Sequence, residues 1–61
     1  MERDLRARIE RGEWQPGQAL PPVASLAEHY AVSPGVIQRV ERRLESDGLL
    51  RIVSRWGVFR A

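Results

Sequence analysis

Arginine is the residue type best suited to chemistry in this 61-residue chain, because all ten basic residues are Arg and none is Lys. The planar guanidinium forks onto phosphate oxygens or onto the O6 and N7 atoms of guanine. A GC-rich genome produces the same preference, so the placement of charge is the stronger signal. Residues 1–28 carry a net charge of −1 and residues 29–61 carry +3. This asymmetry predicts that the second half contacts a polyanion.

Catalysis has no comparable support in the sequence. His29 is the only histidine, it lies off the apolar face of its helix, and there is no cysteine. A single histidine cannot assemble a metal site. No Ser/His/acid set and no Gly-rich phosphate loop occurs at useful spacing. We therefore expect no enzymatic activity, no metal and no cofactor, with His29 solvated at the surface.

The composition predicts one soluble domain spanning residues 1–61. Apolar residues make up 43% of the chain and charged residues 30%, which is too apolar for a disordered segment. No apolar run approaches the ~18 residues of a membrane span, and "MERDLRARIE" does not resemble a signal peptide. We expect a cytoplasmic, nucleoid-associated protein with a small core held without disulfides. Homodimerisation remains an open source of stability.

Apolar residues recur at helical spacing in three segments. The predicted inward faces are Met1, Leu5 and Ile9; Val23, Leu26, Ala27 and Tyr30; and Ile37, Val40 and Leu44. Gly12 is expected to cap the first helix and Pro22 to open the second. Ser33 can cap the third helix, with Pro34 in its first position, and Gly48 ends it.

The connecting segments complete the predicted architecture. Residues 12–22 are rich in Gly and Pro and predict a loop, in which Trp14 and Leu20 fold back onto the core or Trp14 is exposed and functional. Leu49–Val53 and Val58–Arg60 predict a β-hairpin with its turn near residues 54–57. Three helices followed by this hairpin give a mainly α fold, a winged helix-turn-helix.

Four motifs follow one another along the chain: "G-x-W-x-P-G-x-x-L-P" from Gly12 to Pro21, "L-A-x-x-Y-x-V-S" from Leu26 to Ser33, "L-x-x-D-G-L-L" from Leu44 to Leu50, and "G-x-F" from Gly57 to Phe59. In this order and spacing, most of the chain resembles the N-terminal winged-helix domain of GntR-type bacterial transcription regulators. The resemblance implies a DNA-binding domain of a transcription regulator. It places the third helix in the major groove of double-stranded DNA and the wing on the flanking backbone.

The sequence departs from the family pattern where the resemblance implies DNA contact. The family's Ser-Glu-Arg after Leu-Pro is replaced by residues 22–24, Pro-Val-Ala, and two further family arginines are replaced by Pro34 and Gln38. Arg55 takes the place of the first glycine of the wing. Glu41 occupies an apolar core position. A sequence preference therefore does not transfer from the family to this chain.

The candidate DNA-binding residues are Ser33, Gly35, Gln38, Arg39, Arg42, Arg55 and Trp56. A helical wheel turns Gln38, Arg39 and Arg42 outward, where Arg can read guanine and Gln can read adenine. The alternative is a solvated face on which the arginines pair with Glu41 or Glu45. Arg43 lies nearer the core edge.

The ends of the predicted interface leave further alternatives open. Gly35 allows a phosphate to approach the helix start, with Ser33 as a donor, or these residues only shape a tight turn. Arg55 can contact phosphate or a minor groove, and Trp56 can pack on sugar, cover the core or contact a protein partner. The competing function is therefore a winged-helix protein-interaction or self-association module with weak or shape-only DNA binding.

Overall fold

The computed structural model describes residues 1–61 as three helices followed by a β-hairpin. The elements are α1 (Glu2–Glu10), α2 (Val23–Tyr30), α3 (Pro34–Ser46), β1 (Leu50–Val53) and β2 (Gly57–Arg60). The two strands are antiparallel, with Leu50 opposite Arg60 and Val53 opposite Gly57. This order confirms the predicted winged-helix architecture. None of the helices has the length and apolar character needed to cross a membrane.

One apolar core joins all three helices to the connecting segments. Its buried residues are Leu5, Ile9, Trp14, Leu20, Leu26, Ala27, Ile37, Val40, Leu44 and Leu50. Trp14 and Leu20 are each 7% exposed, so the loop residues fold back as core anchors and Trp14 is not an exposed functional residue. Fully burying a side chain the size of Leu or Ile contributes about 1.5–3 kcal/mol, which exceeds the ~0–1 kcal/mol of a surface ion pair. Packing therefore dominates the stability of this domain.

Polar contacts hold α1 against the rest of the domain. The Arg8 guanidinium donates to Glu13 Oε1 at 3.0 Å and to Tyr30 Oη at 2.9 Å, and it lies 4.9 Å from the centre of the Trp14 ring. Tyr30 in turn donates to Asp4 Oδ2 at 2.8 Å. The hydrogen bonds from Arg8 lower the pKa of the Glu13 carboxyl. The network connects α1, the following loop and the end of α2.

Glycine ends two of the helices as predicted. Helix α1 ends at Glu10, and Arg11 is its C-cap residue. Beyond the cap, the Gly12 N–H donates to Ile9 O and the Glu13 N–H donates to Arg8 O, both at 3.1 Å. This pair of bonds is the Schellman motif, and it needs a left-handed residue, here Gly12 at φ 86°. Gly48 closes α3 with the same pattern at φ 82°.

The turn between α2 and α3 uses the same hydrogen bonds without a glycine. The Ala31 N–H donates to Glu28 O at 3.2 Å and the Val32 N–H to Ala27 O at 3.0 Å, with Ala31 at φ 56° and ψ 45°. A left-handed conformation costs an L-residue roughly 1–2 kcal/mol, because its Cβ approaches the next carbonyl oxygen. Backbone strain is therefore built into the turn that sets the angle between the two helices.

The segment before α2 pairs with the wing, which the sequence did not predict. Ala19 forms an isolated antiparallel bridge with Phe59, and the Leu20 N–H donates to Val58 O at 2.8 Å. The Arg60 N–H donates to Gln18 O at 2.9 Å. The residues lie in a Pro- and Gly-rich stretch with no strand periodicity, so only the distant strand β2 makes them extended. This contact anchors the base of the hairpin to the helical core.

Replacing Ala31 by Gly tests the strain in the turn between α2 and α3. We expect Ala31→Gly to raise the free energy of unfolding by about 1 kcal/mol, because glycine adopts the left-handed conformation without a Cβ penalty. Urea denaturation followed by circular dichroism measures the change. Ala24→Gly, on an exposed position of α2 with ordinary helical geometry, is expected to destabilise the domain instead. Equal effects of the two substitutions would contradict the assigned strain.

Candidate functional site

The outer face of α3 carries unpaired basic side chains. Ile37, Val40 and Leu44 are buried, whereas Arg39 and Arg42 are exposed, as the helical wheel predicts. Neither Arg39 nor Arg42 enters one of the four ion pairs of the domain. Two free guanidinium groups therefore project from this helix, one turn apart.

The acidic residues of α3 do not neutralise that face. Glu45 accepts a hydrogen bond from the Ile52 N–H at 2.8 Å, which ties the end of α3 to β1. Glu41 points inward and is only 2% exposed. Arg43, by contrast, lies 3.4 Å from Glu2 on α1 and belongs to the other side of the helix. The predicted alternative, pairing of Arg39 or Arg42 with Glu41 or Glu45, is absent from the structure.

The start of α3 is open to solvent. Ser33 caps the helix as expected, accepting from the Val36 N–H at 3.4 Å, and Pro34 occupies the first turn. A Cβ added at Gly35 would meet only Ser33 Oγ, at 3.9 Å. Packing within the domain therefore does not require glycine at this position, and the exposed backbone is accessible to a ligand.

The wing ends in a tight turn that projects its side chains. Ser54, Arg55 and Trp56 connect the strands, and the Trp56 N–H donates to Val53 O at 3.1 Å. Arg55 has φ 72°, the left-handed geometry that the third residue of a type II turn requires and that favours glycine. Trp56 is 80% exposed, so the predicted alternative in which it covers the core is wrong.

A groove of about 610 Å³ separates α3 from the wing. Its lining residues are Pro22, Val23, Gln38, Glu41, Arg42, Ile52, Val53, Ser54, Arg55, Trp56, Gly57 and Val58. The groove thus brings together Gln38, Arg42, Arg55 and Trp56 from two parts of the chain. Ser33, Gly35 and Arg39 lie outside it, on the exposed start and face of α3. The predicted residues form one groove and one adjoining helix face.

Glu41 is the residue of this region whose position the sequence only partly predicted. It follows Ile37 by four residues and precedes Leu44 by three, so it lies on the inward face of the helix. Its Oε2 atom is buried without a hydrogen-bond partner, and burial raises the pKa of the carboxyl group above its usual range. The helical spacing signalled a carboxylate at a core position. Its place in a groove facing the wing required the tertiary structure.

Comparison with known proteins identifies similar domains. The family model described as "Bacterial regulatory proteins, gntR family" matches residues 1–59. The chain is similar to the N-terminal domain of AraR in complex with mutant ORR3, with a TM-score of 0.92 and 30% identity over 98% of this chain and 86% of that chain. The AraR DNA-binding domain in complex with operator ORR3 is similar at a TM-score of 0.91 and 30% identity, over 98% and 72%. No curated protein sequence matches the chain.

Replacing Glu41 by Leu tests the cost of the buried carboxylate. A buried polar group without a partner costs about 1–3 kcal/mol, so Glu41→Leu is expected to raise the free energy of unfolding by that amount at neutral pH. Because the pKa of Glu41 is raised in the folded state, the destabilising contribution of its carboxylate decreases as pH falls, and the difference between the two proteins should narrow in acid. Urea denaturation at several pH values measures both effects.

Glu28→Leu is the matched control for this substitution. Glu28 is exposed on α2, so its replacement should change stability by no more than about 0.5 kcal/mol. A Glu41→Leu protein less stable than the wild type at neutral pH would show that the carboxylate has a stabilising partner in solution.

Proposed function

The chain belongs to the gntR family of bacterial regulatory proteins, and on that premise we propose that it is the DNA-binding domain of a transcription regulator. The observation that carries this proposal is the set of unpaired arginines, Arg39, Arg42 and Arg55, on α3 and the wing of a winged helix-turn-helix. The AraR domain, similar over 98% of this chain, is in complex with operator DNA. Residues 1–61 act as one unit on double-stranded DNA in the bacterial cytoplasm, at the nucleoid, without enzymatic activity.

The proposed reading element is the outer face of α3 in the major groove. A major groove about 12 Å wide admits an α-helix. Arg39 and Arg42 are three residues apart, which is a rise of roughly 4.5 Å along the helix, close to the ~3.4 Å between successive base pairs. The two guanidinium groups can therefore reach neighbouring base pairs. Arg forks onto guanine and Gln38 pairs with adenine, so G-containing sites are favoured.

The start of α3 is proposed to bind phosphate rather than bases. Ser33 Oγ and Ser33 O both accept from the Val36 N–H. The Gly35 N–H has no acceptor within the domain and is exposed at the positive end of the helix dipole. Pro34 has no N–H, and Gly35 has no side chain that would obstruct a phosphate. These contacts fix the register of the helix on DNA and carry no sequence preference.

The wing is proposed to contact the flanking DNA with Arg55 and Trp56. Both residues project from the tip, and Arg55 forms no ion pair within the domain. A guanidinium group at this position suits a phosphate or a narrow minor groove, and the exposed indole suits packing on a deoxyribose. The wing and α3 flank the same groove, so both can contact one face of a duplex.

Removing the arginines of α3 tests the reading element. Selection from a random duplex pool provides the preferred site, and fluorescence anisotropy measures affinity for it. Arg39→Ala and Arg42→Ala should each weaken binding by roughly 1–3 kcal/mol, about 5- to 150-fold, and relax the preference at one base pair. Arg3→Ala, which removes an exposed arginine from α1, should leave affinity nearly unchanged. Absence of binding to mixed duplexes at low salt would overturn the proposed function.

Replacing Arg55 by Gly separates stability from DNA binding at the wing. Glycine removes the left-handed strain, so Arg55→Gly should raise the free energy of unfolding by about 1 kcal/mol. The same substitution removes a phosphate contact, so DNA affinity should fall. The slope of the logarithm of the binding constant against the logarithm of the salt concentration should decrease in magnitude by about 1. Arg55→Ala should lose the same affinity without the gain in stability. Unchanged affinity in both variants would show that the wing does not contact DNA.

A further inference from the structure

The groove between α3 and the wing contains a negative charge that no group of the domain neutralises. Glu41 is 2% exposed, and its Oε2 atom has no hydrogen-bond partner. Burying a carboxylate is unfavourable unless a cation or hydrogen-bond donors compensate it. The ion pairs of the domain use Arg6, Arg8, Arg11 and Arg43, all of which bind other acids. Arg42 and Arg55 line the same groove, but neither forms an ion pair with Glu41.

The walls of the groove are suited to an apolar body attached to that cation. Val23, Ile52, Val53 and Val58 contribute partly buried aliphatic surface along the groove. The volume of about 610 Å³ lies within the ~300–1,000 Å³ of typical small-molecule sites. Such a space holds a ligand of several bonded heavy atoms, larger than a single inorganic ion.

Trp56 provides a second recognition surface at the rim. Its side chain lines the groove while remaining 80% exposed, which is unusual for the largest apolar side chain. An indole face attracts organic cations and stacks with aromatic rings. The carboxylate at the base of the groove can bind the charged head of an amidinium, guanidinium or ammonium compound. The indole at the rim can pack on the aromatic or aliphatic part of the same compound.

We propose that this groove binds a small organic monocation, with the Glu41 carboxylate as the counter-charge and Trp56 packed on its apolar body. A planar amidinium or guanidinium head fits best, since its N–H groups can donate a charge-assisted hydrogen bond to the carboxylate. Arg42 and Arg55 line the same groove and would repel a polycation. The Glu41 carboxylate favours a positive charge and the two arginines disfavour more than one, so a single positive charge on a compact body is the proposed ligand class.

Occupation of the groove would also alter DNA binding, a consequence that rests on the proposed function. Gln38, Arg42, Arg55 and Trp56 belong both to the groove and to the proposed DNA surface. A ligand among these side chains changes their positions and adds a positive charge beside them. The site would thus act as an effector site within the DNA-binding domain itself.

Titration of the complete chain with benzamidine, in the absence of DNA, tests the site. The readout is the NMR resonance of the Trp56 indole N–H, assigned with Trp56→Phe. We expect a saturable shift for the wild type and at least about tenfold weaker binding for Glu41→Gln, because a charge-assisted hydrogen bond contributes ~1.5–3 kcal/mol. Glu28→Gln should bind as the wild type does, and Arg42→Ala should bind more tightly because one repelling charge is removed.

Glu41→Gln removes a buried charge and is expected to fold, which its amide spectrum verifies. A shift that does not saturate, equal binding by Glu41→Gln and the wild type, or equal binding of the neutral analogue benzamide would each overturn the proposal. Because DNA is absent from the titration, its outcome is independent of the anisotropy measurements on duplexes. If the wild type binds benzamidine saturably but does not bind duplexes, the proposed function is rejected and the cation site is retained.

Discussion

The burial of the inner face of α3 is the constraint on which the other features of this domain depend. Ile37, Val40 and Leu44 lie in the core, and the helical repeat is fixed at 3.6 residues per turn. Once these three side chains point inward, Arg39 and Arg42 must point outward. The direction of the proposed reading residues is thus a consequence of packing. The packing of Ile37, Val40 and Leu44 therefore both builds the core and orients the exposed side of α3.

The wing depends on a second, weaker constraint. A two-stranded hairpin is only marginally stable in water. Here β1 is joined to α3 through the hydrogen bond from the Ile52 N–H to Glu45, and β2 is joined to residues 18–20 through backbone hydrogen bonds. These contacts hold the base of the wing, so Arg55 and Trp56 project from a supported turn. The opposed walls of the groove follow from this arrangement.

Three residues break local rules, and two of them lie beside the proposed DNA surface. Ala31 and Arg55 are non-glycine residues in left-handed conformations, and Glu41 is a buried carboxylate without a partner. Such departures persist only where the surrounding structure or a ligand compensates them. Ala31 lies in the turn between α2 and α3. Arg55 and Glu41 flank the groove, where the proposed binding of DNA and of a cation would give each of them a partner.

The sequence by itself determined the elements and the inward faces. Periodic apolar residues located the helices, and Gly12, Gly48 and Ser33 located three of their ends, because caps and helical repeats are local properties of the chain. Branched and aromatic residues around a turn located the hairpin, and the helical wheel located the outer face of α3. Each strand starts one residue away from its predicted position: β1 begins at Leu50 instead of Leu49, and β2 begins at Gly57 instead of Val58.

Only the tertiary structure decided which distant residues meet. Residues 18–20 carry no strand pattern, and β2, about forty positions later in the chain, makes them extended. The sequence left Trp56 three possible roles, and its exposure removed burial in the core. The groove between Glu41 and the wing was invisible in the sequence, because its walls belong to segments whose relative placement depends on packing across the whole domain. Local chemistry determined whether each segment is a helix, a strand or a loop, and long-range packing determined which segments contact one another.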